Sequence, residues 1–240
     1  MGLVASSKIR RATDAMLKSR AYATSLKESV KVLAASGECA SSPYIKEGKG
    51  KSVLIVIAGD RGMAGGYNAN VFRMLRDIKC DEYIPIGKRA CGKLGKGFES
   101  CEKFTSEQAA ALARKLCLRV KKGEVSKVGI LFTRHVSVIS QVPEIEWLLP
   151  LKGEKASAEA LFEPDASTVL EDAVPLYVGG MIASRVKESF ASEVASRRVA
   201  MDSAGKNAKQ MTDSLTLQYN RARQGAITQE ITEIVAGSDA

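Results

Sequence analysis

The chain has 240 residues, 45% hydrophobic and 26% charged, a mixture that suits a globular protein and excludes a disordered, collagenous or disulfide-dense chain. That length allows one large domain or two small ones. The formal net charge of +9 directs attention to an acidic counterpart: nucleic acid, an anionic membrane surface or an acidic protein. Aromatics, at 5%, are sparse for a protein that stacks on single strands.

Residues 3–36 contain neither Pro nor Gly. Apolar or small residues recur there at Ile9, Ala12, Met16, Ala23, Leu26, Val30 and Leu33, with Ser19 in one weak position. This spacing predicts a heptad helix, closed by Gly37. Cys39, Cys80, Cys91, Cys101 and Cys117 never form C-x-x-C, and with a single histidine, His135, no zinc site is expected. Scattered thiols fit a reducing compartment.

The run Ser52–Ala58 is short, apolar and β-branched, and reads as a buried parallel strand. A glycine loop follows, Gly59-Asp60-Arg61-Gly62-Met63-Ala64-Gly65-Gly66-Tyr67-Asn68, then a helix over 68–78. The loop fits neither the G-x-x-x-x-G-K-S/T phosphate loop nor the G-x-G-x-x-G dinucleotide fingerprint. A strand–loop–helix junction still offers an anion position at the helix N-terminus. Asp60 and Arg61 are expected to form a local ion pair. A second strand is expected over 82–87, a short helix over 88–96, an amphipathic helix over 106–121 with Ser106 as N-cap, and a hairpin from 125–134 and 136–149. Alternating strands and helices imply an α/β domain with a partly parallel sheet. Asp60, Glu144 and Glu146 are the candidate acids, but their spacing singles out no catalytic pair, and surface carboxylates are the favoured reading.

Residues 179–236 again lack Pro. Val186, Phe190 and Val194 lead into a seam at Met201, Ala204, Ala208, Met211, Leu215 and Ala222, which is expected to continue through Ile227, Ile231 and Ile234. Two heptad helices flanking an insert predict an antiparallel coiled coil of the chain ends. At 1.5 Å per residue the first is roughly 50 Å long and the last roughly 85 Å, leaving about 30 Å of overhang. The overhanging stripe is covered either by a partner or by the insert. The expected divisions are 1–37 for the first helix, 48–176 for the α/β domain and 177–237 for the last helix.

Two segments resemble the γ subunit family of F-type ATP synthases. One is Gly59–Asn68 after its Val/Ile strand. The other runs Met201-Asp-x-Ala204-x-x-Asn207-Ala208-x-x-Met211 and on through Tyr219-Asn-Arg-x-Arg-Gln224-x-x-Ile227-Thr228-x-Glu230-Ile231. Weaker matches lie at Leu148–Leu151, Tyr177–Ser184 and Ser192-Glu193-x-Ala195-x-Arg197. The resemblance implies a non-catalytic central-stalk rotor that couples proton flow to ATP synthesis, without cofactor or metal. Its implied partners are the α3β3 hexamer, the ε subunit and the c-subunit ring, not nucleic acid. Membrane association would come through the complex, at the cytoplasmic side of a bacterial plasma membrane or the matrix side of a mitochondrial inner membrane. The implied contacts to the hexamer are Arg197, Asn220, Arg221, Arg223, Gln224, Thr228 and Glu230. Gly59, Asp60, Arg61, Gly62, Gly65, Gly66 and Asn68 would shape a structural loop at the foot. The family pattern places a further helical stretch of roughly twenty residues, about 30 Å, ahead of Met1–Lys8. The alternative function is a basic α/β nucleotide- or nucleic-acid-binding protein.

Overall fold

A computed structural model describes residues 2–46, 48–153 and 162–238. The elements are α1 (Gly2–Ala35), a 3-10 turn (Gly37–Ser41), β1 (Lys51–Ile57), α2 (Tyr67–Arg76), β2 (Glu82–Ile86), α3 (Lys88–Leu94), α4 (Ser106–Lys121), β3 (Val125–His135), β4 (Gln141–Leu149) and α5 (Ala166–Ser238). The chain forms two compact units, Met1–Val199 and Ala200–Ala240, and α5 contributes to both. No helix among the described residues is long and apolar enough to cross a membrane.

In the first unit the sheet has the order β2-β1-β3-β4. β1 runs parallel to both β2 and β3, and β4 closes one edge antiparallel to β3. Val53–Ile57 is buried throughout because both faces of β1 are covered. Val53, Ile55 and Ile57 enter a core shared with α1, α4 and α5. Leu54, Val56 and Ala58 enter a smaller core with Val71 and Leu75 of α2 and Ala90 of α3. Cover on both sides explains a continuous apolar run where a one-sided strand would alternate. Each such aliphatic side chain contributes about 1.5–3 kcal/mol on burial.

α4 turns Ala109, Leu112, Ala113, Leu116, Cys117 and Val120 inward, a stripe of helical period. Its N-cap is Thr105, not Ser106. The Thr105 hydroxyl accepts from the Gln108 amide at 3.2 Å, and Gln108 Oε1 accepts from the Thr105 amide at 3.0 Å. That reciprocal box satisfies two end donors at once, and only Thr105 has Gln at the required spacing.

α1 buries Ala12, Met16, Ala23, Val30 and Leu33, the expected seam, with Ile9, Ser19 and Leu26 half-buried. Ala12 and Met16 cluster with Ala191, flanked by Phe190. Arg20 meets Glu188 at 2.6 Å. A Cβ added to Gly180 would stand 2.4 Å from Leu26 Cδ1, so a side chain there would push the tip of Leu26 aside. Rising numbers on α1 match falling numbers on α5, which makes the pair antiparallel.

α5 begins at Ala166 rather than 177 and carries Pro175 inside it. The Asp165 carboxylate accepts from the Thr168 amide at 2.8 Å, and Glu38 accepts from the Ala166 amide at 3.2 Å, so the start is capped from two sides. Interior proline costs roughly 3 kcal/mol. Leu170, Val174, Tyr177 and Val178, buried on either side of Pro175, offset it.

In the second unit the helix continues, and every described side chain from Asp202 to Ser238 is exposed. At 1.5 Å per residue that is about 55 Å, longer than the expected 30 Å.

Candidate functional site

The glycine loop is closed by α5 of its own unit. The Asp60 and Arg61 amides both donate to the Glu193 carboxylate at 3.3 Å. Arg197 pairs with the same carboxylate, and its Nε donates to the Gly62 carbonyl at 3.3 Å. The Ser196 hydroxyl donates to the Ala64 carbonyl at 2.8 Å, and the Tyr67 hydroxyl to the Ser189 carbonyl at 3.0 Å. Asn68 Oδ1 accepts from the Gly59 amide at 2.9 Å. A Cβ on Gly59 would lie 2.8 Å from Glu193 Cδ, so a side chain there would evict the carboxylate. Met63 and Gly65 complete the turn with φ of 57° and 55°.

Glu193 therefore occupies the anion position that a β1–α2 junction provides. The carboxylate is buried, and its charge is compensated by Arg197 and two amides. A nucleotide phosphate would have to displace it, which disfavours the nucleotide-binding alternative. Sequence reasoning missed Glu193 as a functional residue. The available signal was one carboxylate within the small and apolar stretch Ala191–Ala195.

Asp60 does not pair with Arg61. Its carboxylate accepts from the Ser100 hydroxyl at 2.7 Å and the Cys101 and Glu102 amides at 2.9 and 3.2 Å. Three converging donors on one turn satisfy a short carboxylate better than an exposed neighbouring arginine. Burial and the nearby Asp60 charge push the Cys101 thiol well above its ordinary value, so it stays protonated.

A second polar cluster ties α1, α5 and β4 together. Glu188, buried, meets Arg20 at 2.6 Å and Arg185 at 2.7 Å. Glu146 meets Arg185 and Lys27, each at 2.6 Å. Burial pushes the Glu146 carboxyl up, but Lys27 and Arg185 outweigh it and hold it below its ordinary value. Burial and Arg20 together push His135 down. Glu144 pairs with Arg134 at 3.1 Å. The three candidate acids thus serve a turn and ion pairs.

In the second unit, Asn220, Arg221, Arg223, Gln224, Thr228 and Glu230 are all exposed. At about 100° per residue the six fall within one half of the helix surface. Ile227, Ile231 and Ile234 lie in the middle of that half. Met201, Ala204, Ala208, Met211, Leu215 and Ala222 lie in the opposite half. The apolar seam does not continue as expected, because the step of five from Ala222 to Ile227 turns it by about 140° in an unbroken helix. The Thr228 hydroxyl donates to the Gln224 carbonyl at 2.8 Å, so it presents acceptor lone pairs outward. Arg197 belongs instead to the loop clamp of the first unit.

The family model described as ATP synthase matches residues 1–240. The ATP synthase gamma chain of Moorella thermoacetica is 38% identical, with 100% of this chain and 91% of that protein covered. The chain belongs to the ATP synthase gamma chain family. The ATP synthase gamma chain of Anaeromyxobacter sp. is 36% identical over 100% of this chain and 91% of the relative, and that of Staphylococcus saprophyticus 35% over 99% and 91%. Among solved structures, a chain of the Tetrahymena thermophila mitochondrial ATP synthase central stalk and c-ring shares the fold. It aligns with a TM-score of 0.63 and 21% identity over 85% of this chain and 97% of that one. In this gamma chain, two of the segments that resemble the family, the glycine loop and Ser192–Arg197, meet each other through Glu193.

Proposed function

We propose that this gamma chain is the central rotor shaft of an F-type ATP synthase. It is non-catalytic, and it couples transmembrane proton flow to ATP synthesis or hydrolysis at an α3β3 hexamer. The observation that carries this reading is the exposed face of α5 over residues 220–234, where Ile227, Ile231 and Ile234 are flanked by Arg223, Gln224, Thr228 and Glu230. A helix gains most of its stability from packing, so that isoleucine face calls for a partner. The hexamer supplies that sleeve. The shaft's unequal faces stabilise different conformations of the three β sites at each angle, so rotation and turnover become one process.

In this reading Asn220, Arg221, Arg223, Gln224, Thr228 and Glu230 contact the hexamer. Arg197 retains its clamp on the glycine loop and offers its outer edge to an acidic β group. The α/β part, with Gly59, Asp60, Arg61, Gly62, Gly65, Gly66 and Asn68 in its loop, forms the foot beside ε and the c ring. The complex sits on the cytoplasmic side of a bacterial plasma membrane, or on the matrix side of a mitochondrial inner membrane.

The test is affinity purification of the tagged chain from native membranes. Stoichiometric α and β subunits are expected; their absence would sink the reading.

A further inference from the structure

We propose that the loop joining β3 to β4, with the hollow beside it, is a docking point for a protein segment that pairs apolar residues with carboxylates. The loop presents Val136, Val138 and Ile139 to solvent, and Ile139 is 82% exposed. Apolar exposure on a flexible loop would mean little, but this loop is held by its own bonds. The Val136 and Ser137 amides donate to the Ser140 carbonyl at 3.2 and 3.0 Å. The Ser137 hydroxyl accepts from the Ile139 and Ser140 amides at 3.3 and 3.0 Å. Gln141 Nε2 donates to the Ser137 and Val138 carbonyls at 3.0 and 2.7 Å. A knob ordered in advance loses little entropy on binding, so burial of its side chains goes largely into affinity.

The charge beside the knob selects the partner. Val136 also lines a hollow of about 460 Å³ whose walls include Arg20, Lys27, Arg134 and Arg185, with Glu188 as the one carboxylate among the described residues there. The carboxylates of this cluster lie mostly beneath. Glu188 is 1%, Glu146 14% and Arg185 16% exposed, against 38% for Arg20, 43% for Lys27 and 53% for Arg134. Only Glu144, paired with Arg134, shares the outer layer. The hollow therefore shows a positive face to solvent although its ions are paired inside. A carboxylate entering it meets guanidinium and ammonium heads, while an apolar residue beside that carboxylate meets the knob. A protein segment offers both features side by side.

The inference rests on the rotor reading, since the segment would belong to a neighbouring subunit. Its test is a photo-crosslinking amino acid placed at Ile139 in the intact ATP synthase, with a second preparation carrying it at Leu217 on the bare helix. Both preparations are first checked for assembly. Failure to assemble, or no adduct from Leu217, counts against the rotor reading and removes the neighbour on which the docking point depends. With assembly and a Leu217 adduct in hand, the Ile139 probe is expected to give an adduct to another subunit on a peptide that holds Asp or Glu near the attachment point. Moving the probe to Val138 and adding Ile139→Asp should lower the yield about tenfold, and Ile139→Leu should leave it unchanged. No adduct, an adduct to lipid, or an adduct to a segment without carboxylates overturns the docking point. A yield indifferent to Ile139→Asp does the same.

Discussion

The Glu193 carboxylate stands 3.3 Å from the Arg61 amide, and its charge is met by Arg197 one helical turn further along α5. A side chain of the long helix thus fills the anion position of the α/β sheet and pins one element to the other. Removing it should leave a part-buried guanidinium and two amides without their acceptor. Glu193→Ala is expected to destabilise the fold by about 3–5 kcal/mol, and Glu193→Gln, which keeps an acceptor oxygen, by markedly less. Urea unfolding measures both. Equal stability of wild type and Glu193→Ala would show that the clamp contributes nothing.

The bare helix should behave in the opposite way. Arg223→Ala with Gln224→Ala touches no intrachain side-chain contact among the described residues, so thermal unfolding of the isolated chain should not shift. Loss of charge-assisted bonds to a partner should lower ATP synthesis in membrane vesicles about tenfold or more. Undiminished synthesis would remove these two residues from the proposed contact.

Helix approach at Gly180 makes a third expectation. Gly180→Ala forces a methyl against the tip of Leu26, and that crowding works against the roughly 1 kcal/mol that alanine otherwise gains over glycine inside a helix. Adding Leu26→Ala opens the space, so the double variant should be more stable than the sum of the single effects predicts, by at least about 0.5 kcal/mol. Strict additivity would mean that the two residues are not opposed.

His135 supplies a pH signature. Its Nδ1 is buried with no hydrogen-bond partner among the described residues, and its pKa lies below the ordinary 6.5. The unfolded chain therefore takes up this proton at higher pH than the folded one. The contribution is fully present above 6.5 and is lost as pH falls through the lowered folded value. The urea midpoint should drop between about pH 7.5 and 5.5, and less so in His135→Gln. An identical drop in both proteins would assign the effect elsewhere.

Much of this fold is legible in the residue pattern because burial and period coincide. The seam at Ala12, Met16, Ala23, Val30 and Leu33 faces α5, and Val53–Ile57 is apolar on both sides because both sides are covered. The failures have local causes. Pro175 looks like a boundary, but packing on both sides carries α5 through it. Ser106 is as good a capping residue as Thr105 until the spacing to Gln108 is considered. Asp60 and Arg61 are neighbours in the chain, yet the donors that satisfy Asp60 come from Lys88 and residues 100–102. Glu193 lay hidden because its role depends on a loop distant in sequence. The shift between Ala222 and Ile227 was visible in the spacing and becomes a rotation only once the helix is known to be unbroken there.

That rotation gives the bare helix the profile of a cam. Over about 7.5 Å of rise the seam that ends at Ala222 gives way to the isoleucine stripe on the other flank. In the proposed rotor, a collar closed around it would meet two faces of different chemistry out of phase, one above the other. A uniform pin would turn within such a collar without preferring any angle. Two offset faces would make each angle energetically distinct in the proposed rotor, and that phase difference is written in a single five-residue step.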